Sequence, residues 1–185
     1  MKEITKFIKE GLKITSKTKV NETPEYSCQP KDKYELKKIL KERLEKDKNA
    51  NLNDIDVSKI TDMSELFRRL YPHDIDISKW NVSNVKNMYK MFYSCYNFNC
   101  DLSKWDVSNV ADMYHMFYYC NNFNSDLSQW DVSNVTNMFE MFWNCKKFDS
   151  DLSKWNVSNV KDMYRMFYGC DKLKNKPSWY KDRYN

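Results

Sequence analysis

A 25-residue repeat restricts the fold of this 185-residue sequence more than any other feature. Four copies align without a gap, and tryptophan, valine, methionine and phenylalanine each recur at fixed positions in them. The recurring tryptophans are Trp80, Trp105, Trp130 and Trp155. A period of this length is the signature of a stack in which each unit buries its apolar face against its neighbours. The sequence therefore predicts one elongated domain.

The chain divides into three predicted regions. Residues 51–170 hold five repeats, of which the first is degenerate because Ile55 stands at the tryptophan position. Residues 1–50 form a basic N-terminal cap region with 14 basic and 9 acidic residues, so the whole net charge of +5 lies there. Residues 171–185 are predicted to form a half-repeat that closes the far end, since terminal repeats are atypical.

Each repeat is predicted to contain one short parallel strand and one short helix. Leu127, Trp130 and Val132 have the spacing of a leucine-rich-repeat strand, and they alternate with polar residues, which indicates one buried face. Asn134 is the predicted N-cap of the helix. The apolar residues that follow it share one helical stripe: Val135, Met138, Phe142 and Cys145. The predicted fold class is therefore an α/β repeat solenoid with its strands on a concave face.

The recurring motif W-[DN]-V-S-N-V-x-[DN]-M-x-x-M-F resembles the bacterial BspA-like 25-residue repeats, an atypical branch of leucine-rich repeats. The resemblance covers residues 51–170. It implies a leucine-rich-repeat-like solenoid and, in many members of that family, display at the cell surface or on a lipoprotein with roles in adhesion.

The cap region is predicted to contain a helix over residues 31–48, with Asp32 as its N-cap. Leu36, Leu40 and Leu44 form its apolar stripe, which would shield the open end of the solenoid. Residues 2–10 are predicted to form another short helix, and residues 13–20 a strand or hairpin. No apolar run could span a bilayer and no signal peptide is recognisable, so we expect a cytoplasmic chain without membrane insertion, whereas the family resemblance implies the cell surface.

Four of the six cysteines occupy one repeat position and are expected to be reduced, buried packing residues. They are Cys95, Cys120, Cys145 and Cys170. A column of like-charged carboxylates at Asp76, Asp101, Asp126 and Asp151 is expected to be compensated by backbone amides rather than by calcium. We predict no metal and no cofactor.

Catalysis finds no support in the sequence. The two histidines, His73 and His115, have no nucleophile motif or metal-binding partner at a helical spacing. Two glycines cannot build a phosphate-binding loop. The chain is therefore predicted not to be an enzyme.

Two surfaces are candidates for binding. The first is an aromatic column on the predicted helical flank, which is expected to be at least partly exposed: Tyr93, Tyr118, Trp143 and Tyr168. Its alternative role is packing between neighbouring helices. The second surface consists of the concave columns, in which the opposite charges are expected to pair across neighbouring strands: Lys79, Lys104, Lys154, Asp106 and Asp131.

The predicted function is a non-catalytic binding scaffold for a protein or glycan, of an adhesion type, with the aromatic column slightly favoured as its contact surface. The alternative is nucleic-acid binding through the basic cap. That surface would use Lys37, Lys38, Lys41, Arg43, Lys46 and Lys48. The interspersed Glu35, Glu42 and Glu45 are more typical of a solvated helix.

Overall fold

The structure, a computed structural model, describes residues 25–181. These residues contain one α-helix, α1 (Lys33–Lys46), and no strand longer than an isolated β-bridge. From residue 51 onward the chain winds in coils of 25 residues that are stacked on one another and built from consecutive turns. The elements predicted for residues 2–10 and 13–20 lie outside the described residues.

The prediction of an α/β, leucine-rich-repeat-like solenoid is wrong, because the described coils contain neither the predicted strand nor the predicted helix. Turns occupy the predicted helix after Asn134. Within it, the N–H of Met141 donates to the carbonyl of Met138 (3.1 Å), and the N–H of Cys145 donates to that of Phe142 (3.0 Å). A four-residue turn returns its first and last residues to the same side. Apolar residues three apart therefore all face the core, which imitates a helical stripe.

Hydrogen bonds between coils explain why no helix forms in this segment. Met138, Glu140 and Phe142 donate their N–H groups to the carbonyls of Asp162, Tyr164 and Met166 in the next coil, at 2.7, 2.9 and 3.0 Å. In an α-helix the same groups would donate to the fourth residue before them. Left-handed backbone at alternate turns, as at Glu140 (φ 49), also excludes a continuous helix.

The strand prediction identified the buried side chains correctly, but the backbone conformation it assigned to them is wrong. Trp130 and Val132 are buried, as the alternation with polar residues predicted. However, the N–H of Trp130 donates to the carbonyl of Leu127 (3.1 Å) within the same coil, which makes a turn instead of a sheet ladder. Parallel pairing in the described coils is limited to isolated bridges, such as Asn87 with Asp112. The recurring residues thus stand on turns.

Side chains add three further sets of bonds between successive coils. The indole N–H of Trp130 donates to the carbonyl of Leu102 (3.0 Å), and the amide of Asn134 donates to that of Ser108 (2.7 Å). The thiol of Cys145 donates to the carbonyl of Phe117 (3.0 Å). Each of these bonds recurs in the neighbouring coils. The recurrence of tryptophan and cysteine therefore reflects carbonyl groups that would otherwise be buried without a donor.

The cysteine prediction is confirmed, since every cysteine of the described residues is a free thiol. Cys95, Cys120 and Cys145 are buried, and Cys170 is partly buried. Burial raises the pKa of these thiols, so they are protonated at neutral pH and act as weak donors.

Helix α1 covers the first coil. Asp32 caps it as predicted, accepting from the N–H groups of Tyr34 and Glu35, although the helix begins and ends two residues inside the predicted range. The predicted stripe of Leu36, Leu40 and Leu44 is fully buried and continuous with the core of the coils.

At the other end of the described chain, one side of the last coil is covered by a further turn. The N–H of Tyr180 donates to the carbonyl of Pro177 (2.9 Å), as tryptophan does to leucine in the complete coils. Trp179 supplies the indole, which donates to the carbonyl of Leu152 (2.9 Å) and lies parallel to Trp155 at 6.4 Å. Trp179 thus continues the tryptophan column, although Tyr180 is the residue that stands 25 positions after Trp155.

Candidate binding surface

One side of the stack carries two columns of aromatic rings, which we call the aromatic face. The predicted column is Tyr93, Tyr118, Trp143 and Tyr168. A second column runs beside it through Tyr89, Tyr114, Phe139 and Tyr164. Between them stand the residues of one left-handed turn position in each coil: Lys90, His115, Glu140 and Arg165. The second column was missed, although its aromatic residues recur at the same 25-residue offset.

The rings of the predicted column stack on one another from coil to coil. Their centroids are 4.9 Å apart between Tyr93 and Tyr118, 6.0 Å between Tyr118 and Trp143, and 4.1 Å between Trp143 and Tyr168. The first three rings are half-buried, whereas Tyr168 is 57% exposed. No helical flank carries them in the described coils, so their placement on one is wrong. Stacking occupies the faces of these rings and leaves their edges toward solvent.

Cations lie over the rings at both ends of the aromatic face. The Lys90 ammonium is 4.8 Å from the ring centre of Tyr89 and 5.4 Å from that of Tyr114. The Arg165 guanidinium is 4.8 Å from the ring centre of Tyr164. Such contacts hold long side chains in place against aromatic surface.

A histidine and a glutamate are paired at the centre of this face. His115 Nε2 and Glu140 Oε2 are 2.8 Å apart, and His115 is 9% exposed. Burial and the nearby Lys90 ammonium lower the pKa of His115 to about 4, so the imidazole is neutral at pH 7. When it donates from Nε2 to Glu140, its Nδ1 is an acceptor that has no partner among residues 25–181.

Trp143 contributes a second unpaired polar atom to the aromatic face. Its indole N–H is buried and has no acceptor in the described part of the chain. Burial also raises the pKa of Tyr118 to about 12, which keeps its hydroxyl a neutral donor. The face therefore presents hydrophobic ring edges and hydroxyl groups, whereas the two unpaired nitrogen atoms lie beneath its accessible surface.

The concave columns lie on turns rather than on strands, because the described coils contain no sheet. Lys79, Lys104 and Lys154 are exposed. Asp106 and Asp131 accept from the N–H groups two residues later, at 3.1 and 3.0 Å. The expected pairing between the two signs is wrong, since the ion pairs found among residues 25–181 involve none of these five.

The column of like-charged aspartates is compensated by backbone amides, as predicted. Asp101, Asp126 and Asp151 each accept from the N–H of the serine two residues later at 2.9 Å. This backbone hydrogen bond is the main cause that lowers the pKa of each carboxyl. No group of three His, Cys, Asp or Glu side chains in the described chain is arranged to hold a metal ion.

Contacts to the first coil engage half of the basic residues proposed for nucleic acid. Lys37 donates to the carbonyl of Glu65, Lys48 donates to that of Leu70 (2.9 Å), and Arg43 forms two bonds to Asp54 (2.7 and 2.9 Å). These contacts fix α1 on the stack, and the Asp54 carboxylate also neutralises the charge of Arg43. Among the described residues, no helix is long and apolar enough to cross a membrane.

A known protein family matches the repeat region of the chain twice. The family described as Mycoplasma protein of unknown function, DUF285, matches residues 35–142 and, a second time, residues 110–182. Neither a curated protein nor a solved structure matches the chain. Because the two family matches together extend from residue 35 to residue 182, the chain belongs to this family of repeat-containing Mycoplasma proteins of unknown function.

Proposed function

We propose that the chain is a non-catalytic binding scaffold whose aromatic face contacts a protein partner. The observation that carries the proposal is a double column of stacked aromatic rings that remain partly exposed. Rings held by stacking lose little conformational entropy when a partner covers them.

The stacking favours a protein over a glycan. Sugars pack their C–H groups on exposed ring faces, and the faces of Tyr93, Tyr118 and Trp143 already contact neighbouring rings. Ring edges and hydroxyl groups suit edge-to-face contacts with aromatic side chains of another protein. The resemblance of the repeat motif to BspA-like repeats supports an adhesion-type role.

The aromatic face is also a better binding surface than the concave columns. Lys79, Lys104 and Lys154 are exposed, so a partner would have to remove their hydration shells. Apart from Tyr168, the rings of the aromatic face are already half-buried, and covering their remaining hydrophobic surface is favourable.

Replacement of Tyr118 and Trp143 by alanine tests this proposal. A partner captured from a lysate of the source cells is purified, and its affinity for each variant is measured by calorimetry. We expect the double variant to lose about 2 kcal/mol or more of binding free energy, since central aromatic residues dominate protein interfaces.

The matched control replaces Lys79, Lys104 and Lys154 by alanine and should leave the affinity nearly unchanged. Both variants are compared with the native chain by circular dichroism and urea denaturation, so that a folding defect is recognised. Affinity that survives the aromatic substitutions and falls with the lysine substitutions would contradict the proposal and point to the concave columns.

A further inference from the structure

The last coil of the described stack has backbone N–H groups without the acceptors, among residues 25–181, that the equivalent groups of the three preceding coils have. In the preceding coil, the N–H group of every second residue donates to a backbone carbonyl of the last coil, at N–O distances of 2.7–3.0 Å. These donors are Met138, Glu140, Phe142 and Asn144. The equivalent groups of the last coil form what we call the C-terminal edge: the N–H groups of Met163, Arg165, Phe167 and Gly169. None of these four donates to a residue within 25–181.

Apolar surface accompanies these groups. Val157, Val160 and Met163 are only partly buried, whereas the residues equivalent to them in the preceding coil are fully buried. Val160 and Met163 line a cavity of about 200 Å³ together with Trp179 and Tyr180. The edge therefore combines donors that have no acceptor among residues 25–181 with a cavity that can accept an apolar side chain.

The surroundings of the edge are strongly basic. Residues 161–181 contain six basic and two acidic residues, a net charge of +4. Lys161, Arg165 and Lys181 line the cavity itself. A ligand for this edge must therefore bring carbonyl or carboxylate acceptors and negative charge.

A second copy of the chain does not meet these requirements. Its first coil is covered by α1, whose Lys33 contacts Asp62 and Ser64 and whose Lys37 binds the carbonyl of Glu65. Helix α1 carries six basic and three acidic residues, so it repels the basic edge. Two C-terminal edges facing one another would oppose donors with donors and positive charge with positive charge.

We propose that the C-terminal edge binds an extended acidic peptide segment of another protein. Carbonyl groups of the peptide accept from the N–H groups of Met163, Arg165 and Phe167, and an apolar side chain enters the cavity. Acidic side chains pair with Lys161 and Lys181. This mode extends the stack by one segment, as an added strand extends a sheet at its open edge.

The proposal is tested with two labelled ten-residue peptides, one of alternating glutamate and leucine and one of alternating lysine and leucine. Fluorescence anisotropy should show binding of the glutamate peptide alone. Amide hydrogen exchange by NMR should then show slower exchange at Met163, Arg165 and Phe167 when the peptide is bound. The amides of Met138 and Glu140, which already donate between coils, should be protected in both states.

Charge reversal supplies the matched variants. Lys161→Glu with Lys181→Glu should weaken binding of the glutamate peptide about tenfold or more, whereas Lys79→Glu with Lys104→Glu should change it far less. Equal weakening by both pairs, or binding without protection of the three amides, would show charge attraction without the proposed hydrogen bonds and overturn the proposal. Protection of these amides in the free protein, or failure of the glutamate peptide to bind at low salt, would overturn it as well.

The two surfaces are separable in these experiments. A chain with Tyr118 and Trp143 replaced by alanine should bind the glutamate peptide like the native chain. Loss of peptide binding in that variant, with its fold intact, would place the peptide on the aromatic face and reject the C-terminal edge.

Discussion

Replacement of Trp130 by alanine is expected to lower the free energy of unfolding by about 3–5 kcal/mol, the range for large aromatic residues in a core. Trp130 is 4% exposed, and its ring lies parallel to that of Trp155 at 6.5 Å. Its indole N–H also donates to the carbonyl of Leu102 (3.0 Å), which would lose its donor in a buried place. Urea denaturation followed by circular dichroism measures the change.

Two further variants separate the causes of this loss. Trp130→Phe keeps most of the ring and removes the hydrogen bond, so it should cost less than alanine does. Gln129→Ala changes an exposed neighbour and should alter stability by less than about 0.5 kcal/mol. A loss below about 1 kcal/mol in Trp130→Ala would contradict the buried tryptophan column.

Deletion of residues 114–138, one full period of 25 residues, is expected to leave a shorter chain that still unfolds cooperatively. The deletion joins Met113 to Phe139, a junction equivalent to that between Met138 and Phe139. The donors of each coil then meet equivalent carbonyls in the next, because the backbone bonds between the coils on either side of the deletion recur every 25 residues. Thermal and urea unfolding should show one transition at a lower midpoint.

The matched control removes residues 115–138 and thus leaves one additional residue at the junction. The additional residue moves every later residue of this coil by one position relative to the neighbouring coils. Backbone donors and buried side chains therefore no longer face their partners in those coils. We expect this variant to lose the cooperative transition. Similar unfolding curves for the two deletions would show that the bonds between coils do not set the period.

The repeat, the buried residues and the cap helix could all be predicted from sequence because they depend on side-chain chemistry at fixed spacing. Trp130, Val132 and Phe142 are buried whether turns or helices carry them. The capping of α1 by Asp32 is local, so its prediction needed no knowledge of the rest of the fold.

The backbone of the coils could not be predicted in this way. Residues such as Val135, Met138 and Met141 recur every three positions, close to the 3.6 of a helix, and a short segment does not separate the two periods. The deciding interactions are hydrogen bonds to residues 24 positions later, such as that of Met138 with Asp162. Such bonds leave no local pattern in the sequence. The left-handed backbone at Lys90, His115 and Glu140 also could not be predicted, because none of these residues is a glycine, the residue that usually adopts this conformation.

Only part of the aromatic face could be predicted, because the turns that position its second column could not be predicted either. The recurrence of Tyr93, Tyr118 and Trp143 identified one column, and helical geometry placed that column on a partly exposed helical flank. In the turns, Tyr89 and Tyr114 lie beside it on the same side of the stack. The pairing of His115 with Glu140 could not be foreseen, because it depends on one turn position facing its equivalent in the next coil.

Bonds between coils also determine how the chain responds to tension. They join each coil to the next, so a force that draws the two ends apart loads the coils in series and detaches them one at a time. Each detached coil releases 25 residues, which is about 85 Å of extended chain. The stack should therefore lengthen in discrete steps under load rather than at a single force.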